Sequence, residues 1–326
     1  MQSQMRHKTS IKSLAAALLL VAAPLAAQDY PAREIRALCN YSAGSGADVI
    51  VRFYSDRLAK LTGKPVIVEN RVGANGALAT DALAKSRPDG HTILITPASS
   101  TIASAPYLFK NLPFDTEKDF AAVTTIASLS FTIMVDASKP INSIDELVTQ
   151  LKAKPNNGFY GTTNNTGVIA AELFKTRFGL RTTYVPYKQN VEALTGLLLG
   201  QLDFLTFDAT WASAQAKGGK VRILAATATK RSVALPGVPT LTELGYGGND
   251  VSPWWGVVVA AGTPKPVVDR LAAWFNQITA AEDTKQFLAN SAFDPFPGSP
   301  EQMQALLKSD ALRWKRYVEL AKIEPQ

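Results

Sequence analysis

Ile35-Arg36-Ala37-Leu38-Cys39 runs into Asn40-Tyr41-Ser42-Ala43-Gly44-Ser45-Gly46-Ala47-Asp48 and on into Val49-Ile50-Val51-Arg52-Phe53. The first five residues are mostly apolar and short, as a strand is. Over 48–62, apolar residues at Val49, Phe53, Leu58 and Leu61 recur at helical spacing. Between the two lies a turn of small residues. The pattern then repeats: 65–69 reads as a strand, 76–85 as a helix and 92–96 as a strand. Strand and helix in alternation build βαβ units and a parallel sheet.

Residues 123–135 are apolar without a helical period and read as a crossing between two sheets. Ser143, with Glu146 three residues on, forms a capping box that opens a helix over 143–153. Strands at 158–162, 183–186, 203–207 and 221–227 then alternate with helices at 167–178 and 191–199. After Leu235-Pro236-Gly237-Val238-Pro239 come a strand at 254–260 and two helices, 265–281 and 300–321. Two sheets joined by crossing strands, with the chain's end returning to the first, make an α/β fold of two lobes, each a central sheet flanked by helices. Such molecules close on ligands by hinge motion. The expected division is a leader at 1–27, a discontinuous first lobe at 28–128 plus 228–326, and a second lobe at 129–227.

The leader has the order of a secretory signal. Arg6, His7, Lys8 and Lys12 form a basic start, 14–25 is apolar, and Ala26-Ala27 offers a small-residue cleavage site. The apolar run is well short of the ~20 residues that span a membrane. Cleavage after Ala27 leaves 299 of the 326 residues, enough for one large domain or two medium ones. Arg6, Lys8 and Lys12 carry three of the +7 charges, so the mature chain keeps +4. No Lys/Arg run points to nucleic acid.

Cys39 is the only cysteine, which excludes an internal disulfide, and its apolar run makes it a buried, inert thiol. Beyond the leader His91 is the only histidine. That leaves no His/Cys metal cluster and no plausible Ser-His-Asp set, which takes most hydrolase mechanisms off the table. The expectation is no enzyme, no cofactor and no metal.

The turn from Tyr41 to Asp48 carries the candidate chemistry. Small residues let backbone N–H groups approach an anion, and the following helix adds unpaired N–H groups and the positive end of its dipole. The turn lacks the third glycine of a dinucleotide loop and the Lys-Ser/Thr pair of a phosphate loop. A Gly-x-Gly turn is also an ordinary strand-to-helix connection, and Asp48 is also an ordinary helix-start acid. A second loop, Gly161-Thr162-Thr163-Asn164-Asn165-Thr166-Gly167, likewise joins a strand to a helix and could face the first. Lys188 could pair with a distal acid group of a ligand, or simply be solvated. Asp208 could bind a ligand hydroxyl or amine, or cap the next segment. Trp254 and Trp255 fit either a cleft wall or the core.

Eight ordered motifs carry a resemblance. They are Tyr30-Pro31, Ala43-Gly44-x-Gly46-x-Asp48, Pro65-Val66-Ile67-Val68-Glu69-Asn70-Arg71 and Pro88-Asp89-Gly90-His91-Thr92, then Leu112-Pro113-Phe114-Asp115 and Val185-Pro186-Tyr187-Lys188, and finally Leu235-Pro236-Gly237-Val238-Pro239-Thr240 and Ala261-Gly262-Thr263-Pro264-Lys265-Pro266. Over nearly its whole mature length the chain resembles the Bug (TctC-like) receptors of the tripartite tricarboxylate transporter system. The resemblance implies a periplasmic-binding-protein clamp that holds a small organic acid between its lobes. It places one carboxylate between Tyr41, Ser42, Ala43, Gly44, Ser45 and Asp48 and the second loop, Thr162, Thr163, Asn164, Asn165 and Thr166, with Ser99 in a third loop near the cleft. The implied partners are the two membrane permease subunits of the transporter, served by a monomeric receptor.

The departures from the family pattern bear on the ligand. Asn40 and Ser42 replace prolines, Ser45 a glycine, Val168 a histidine, Ala105 an asparagine and Gln189 a glycine. Thr162-Thr163-Asn164-Asn165-Thr166 stands where Gly-Asn-Gly-Thr-Pro is usual. Lost polar groups at Val168 and Ala105 point to a less polar ligand, such as an aromatic acid; the ligand class as a whole is a small organic carboxylate, aromatic or dicarboxylic. Two other uses of the same clamp are presenting a ligand to a membrane sensor kinase and exported enzymatic action on an organic acid.

Overall fold

The computed structural model describes residues 30–248 and 250–325; the expected leader lies outside the described residues. The chain opens with β1 (Ile35–Cys39), α1 (Gly46–Thr62), β2 (Val66–Asn70), α2 (Ala77–Ala84) and β3 (Thr92–Thr96). Two one-turn helices follow, α3 (Ala98–Thr101) and α4 (Ala105–Leu108), and then β4 (Phe120–Ser128). The middle of the chain comprises β5 (Phe131–Asp136), α5 (Ile144–Ala153), β6 (Phe159–Thr162), α6 (Asn165–Phe178), β7 (Thr183–Pro186), α7 (Asn190–Leu198), β8 (Phe204–Asp208), α8 (Ala209–Lys217) and β9 (Val221–Ala226). It ends with β10 (Trp254–Ala260), α9 (Lys265–Ala280), α10 (Glu282–Asn290), β11 (Asp294–Pro295) and α11 (Pro300–Ala321).

The strands form two sheets. One has the order β11-β4-β10-β3-β1-β2 and the other β7-β6-β8-β5-β9. In the first, β1 lies parallel to β2 and β3, while β10 runs antiparallel to β3 and β4. In the second, β6 lies parallel to β7 and β8, while β5 runs antiparallel to β8 and β9. The apolar stretch 123–135 therefore does cross: β4 belongs to one sheet and β5 to the other. Three backbone segments are laced together at this crossing. Leu129 N donates to Pro253 O at 2.9 Å, Thr227 N to Phe131 O at 2.8 Å, and Val251 N to Thr227 O at 3.1 Å. Thr227 Oγ1 adds a bond to Val251 O at 2.6 Å.

Helix α1 shows how local chemistry sets an element. Ser45, in extended conformation, caps it by accepting from Asp48 N at 3.2 Å, and Gly63 ends it in the left-handed region. Its buried face is not the expected one. Ile50, Val51, Tyr54 and Leu58 are buried, whereas Val49 and Leu61 are 46% and 37% exposed. Two apolar stripes overlap on this helix, and the one containing Tyr54 wins. The Tyr54 hydroxyl reaches Thr279 Oγ1 at 3.2 Å, so the ring can bury without stranding its polar tip. The box at Ser143 is also altered. Ser143 Oγ accepts from Glu146 N at 3.1 Å, but the Glu146 carboxylate takes Asn142 N, one residue before the cap. Between the two expected C-terminal helices lie α10 and β11, and α8 follows β8 directly; the sequence reading identified none of these three.

Candidate functional site

A cleft of about 860 Å³ lies between the lobes, lined by residues that leave the carboxyl ends of β1, β2, β3, β6 and β8. Open α/β sheets hold ligands at such ends, where the following helices present their N-termini. A second concavity of about 720 Å³ lies between 102–119 and α11, and it shares no lining residue with the cleft.

On the first-lobe side Asn40, Tyr41, Gly46 and Ala47 line the cleft. Tyr41 stacks on Trp255 with ring centroids 5.9 Å apart, and burial pushes its hydroxyl up to about 12. Gly46 and Ala47 are the first two residues of α1, so their amides have no intrahelical acceptor. Ser42, Ala43 and Gly44 are exposed and outside the lining, and Ser45 serves as the cap. Asp48 turns away from the cleft. Its carboxylate accepts from Gly44 N at 2.8 Å, Arg52 Nε at 2.7 Å and Asn70 Nδ2 at 2.7 Å. Burial alone would raise the Asp48 carboxyl, but these bonds from Arg52, Asn70 and Gly44 outweigh it and hold it below the ordinary range. Asn70 Nδ2 also donates to Tyr41 O at 2.8 Å, so one network fixes the whole turn. Cys39 lies beneath it, buried, its thiol pushed up by burial.

On the second-lobe side Asn164, Asn165, Thr166, Asp208 and Thr210 line the cleft. Asn164 caps α6 by accepting from Gly167 N at 2.9 Å, leaving the Asn165 and Thr166 amides as the unpaired first donors. Thr163 Oγ1 donates to Asn190 Oδ1 at 2.7 Å, away from the lining. Thr162 is buried, and its Oγ1 finds no hydrogen-bond partner among the described residues. Gly167 makes the tight approach: a Cβ there would sit 2.0 Å from Thr162 Oγ1 and 2.9 Å from Thr206 O. Asp208 caps α8, accepting from Trp211 N at 3.0 Å, and burial pushes its carboxyl up.

In the third loop Ser99 Oγ accepts from Trp254 N at 3.1 Å and borders a separate void of about 30 Å³. Its neighbours Ser100 and Thr101 line the main cleft instead. On a one-turn helix adjacent residues point about 100° apart, so a single position changes the wall. Trp254 is in the core with its Nε1 donating to Asp310 at 2.7 Å, while Trp255 lines the cleft. Lys188 is exposed and outside the lining. Val168 and Ala105 are buried and also outside it. The apolar wall comes instead from Trp255, Phe131, Phe293, Leu129 and Val72, which the sequence reading, Trp255 excepted, did not single out.

Among the described residues no Lys, Arg or His lines the cleft. Any anion held there must rely on the first-turn amides of α1 and α6 and on nearby hydroxyl and amide side chains. Each helix N-terminus is worth roughly half a positive charge.

Residues 50–323 match the family described as Tripartite tricarboxylate transporter family receptor. Protein BugT of Bordetella pertussis is 29% identical over 91% of this chain and 92% of its own. Among solved structures, an R. palustris protein with adipate is 28% identical with a TM-score of 0.76, covering 91% of this chain and 100% of that one. MatC from Rhodopseudomonas palustris with bound malate is 25% identical with a TM-score of 0.70, covering 89% of this chain and 100% of that one. The chain belongs to the receptors of the tripartite tricarboxylate transporter family, whose members are periplasmic solute-binding proteins.

Proposed function

We propose that the protein is a periplasmic receptor that captures a small organic carboxylate between its lobes and delivers it to membrane permease subunits. The observation that carries this reading is the cleft wall: two helix N-termini, at Gly46-Ala47 and Asn165-Thr166, line one cavity that has no side-chain cation among the described residues. Such a wall suits a carboxylate, which accepts several N–H bonds and is favoured by both dipoles. The aromatic wall of Trp255, Phe131 and Phe293 suits an apolar body. The two relatives solved with adipate and malate hold acids of this class. In this reading the leader at 1–27 is removed on export, the receptor acts as a monomer, and the ligand leaves unchanged. Hinge closure over a hydrogen-bonded carboxylate is compatible with micromolar affinity, roughly −8 kcal/mol.

Calorimetric titration with a panel of organic, amino and aromatic acids tests the reading, together with Gly44→Val. Gly44 sits at φ +80, a conformation that a β-branched residue does not tolerate, and its amide is one of those on Asp48. The variant is expected to lose at least about tenfold in affinity, the cost of a strained loop, while unfolding stays cooperative. Unchanged affinity would remove the first loop from the site.

A further inference from the structure

Asp208 stands in the cleft with no counter-charge among the described residues that line it. It ends β8 and shares the cavity wall with Asn164, Asn165 and Thr166, and no described Lys, Arg or His lines that wall. Strands β6 and β8 are parallel neighbours, paired at Tyr160↔Phe204 and Gly161↔Leu205, so the loops leaving their carboxyl ends run side by side. Neighbouring strands are about 4.8 Å apart. Asp208 and the first residues of α6, whose amides are proposed to hold the ligand's carboxylate, therefore leave adjacent strands and share one wall of the cleft. Burial raises its carboxyl, opposed only by backbone N–H groups. A desolvated acid of this kind is costly unless something pairs with it.

Capping of α8 accounts for the backbone N–H groups on the carboxylate: Trp211 N at 3.0 Å, with those of Asp208 and Thr210 beside it. It does not explain an acid: asparagine caps a helix as well as aspartate does and brings no charge into an anion site. Phe131 lies opposite Asp208 in the β5–β8 register, and both residues line the cleft.

We propose that Asp208 reads the ligand's second polar group: the cleft takes a carboxylic acid bearing a hydrogen-bond donor, hydroxyl or ammonium, close to its carboxylate, and turns away a second carboxylate at that position. The inference rests on the reading that the first-turn amides hold a carboxylate. Asp48 has no such part, since its own neighbours satisfy it.

The test is a matched series that differs only at the carbon beside the carboxylate. 3-Phenylpropionate, 3-phenyllactate, phenylalanine and benzylmalonate carry hydrogen, hydroxyl, ammonium and carboxylate there; propionate, lactate, alanine and methylmalonate repeat the series on a small body. Calorimetry on the wild-type protein is expected to rank a hydroxyl or ammonium member at least about tenfold above the unsubstituted acid, as a charge-assisted hydrogen bond allows. The diacid is expected to be weakest. Which of the two donors leads distinguishes a hydroxy acid from an amino acid. Asp208→Asn, with its cap retained and its melting temperature unchanged, is expected to bring donor and diacid within about threefold of each other. Substituent-independent binding, or tightest binding of the diacids, would overturn the inference while leaving the carboxylate reading standing. Binding of no member would overturn both. The wild-type ranking decides the matter even if the variant does not fold.

Discussion

Around the turn after β1, Gly44 N, Arg52 and Asn70 all converge on Asp48, and Asn70 holds Tyr41 O as well. The turn after β6 is set differently: Gly167 lies so close to Thr162 Oγ1 and Thr206 O that no methyl group fits between them. One helix N-terminus is positioned by a charge network and the other by steric fit. The difference has consequences. A charge network yields gradually to pH, because its members can be titrated. A steric fit is indifferent to pH but fails with the addition of one carbon.

The largest effect is expected from Gly167→Ala. Its Cβ would lie 2.0 Å from a side-chain oxygen and 2.9 Å from a backbone oxygen, and the backbone cannot step aside cheaply. A loss of about 2–3 kcal/mol, typical of overpacking, should appear as a lower urea midpoint at unchanged slope. Adding Thr162→Ala removes the side-chain obstacle and should recover part of the loss. A wild-type midpoint in the single variant would show that fit does not set this turn.

Asp48→Asn comes next, with an expected cost of about 1–3 kcal/mol for the weakened network. Its pH dependence separates the two loops. The folded Asp48 carboxyl is held below its ordinary value of 3.8, so the network's contribution is full above about pH 4. It fades as pH falls through the folded value. The stability gap between wild type and Asp48→Asn should therefore be constant from pH 7 to 5 and close below about 4. The gap produced by Gly167→Ala should keep its size across the same range. Parallel pH profiles for the two variants would abolish the distinction.

The fold was legible where local signals agree. Short apolar runs became β1, β3 and β10, and the period-free stretch 123–135 became the crossing from β4 to β5. It was less legible where two patterns overlap, as on α1, whose buried stripe was chosen by a long-range bond from Tyr54 to Thr279. The cleft divides in the same way. Tyr41, Asn164, Asn165, Thr166 and Asp208 could be found because loops after strands are visible in sequence, and all five line the cavity. Ser42 to Ser45 belong to the same quoted turn yet point elsewhere, because only the first helical turn faces inward. Trp255, Phe131 and Phe293 were invisible as a group, since they converge from three strands or strand ends far apart in the chain.

Lys188→Ala carries the smallest expected effect and sharpens the comparison most. The side chain is exposed on the second-loop side and absent from the cleft wall. A solvated lysine interacts weakly with a charge beyond its own hydration, and at physiological salt its field decays within about 8 Å. Affinity for an organic acid should therefore change by less than about threefold, within the usual worth of an exposed charge. The same titration repeated at high salt should give the same ratio. A larger loss that shrinks with added salt would mean that closure brings Lys188 onto the ligand. The second lobe would then hold its anion through a side-chain charge, and the contrast between a charge-fixed first loop and a fit-fixed second loop would apply only to the open cleft.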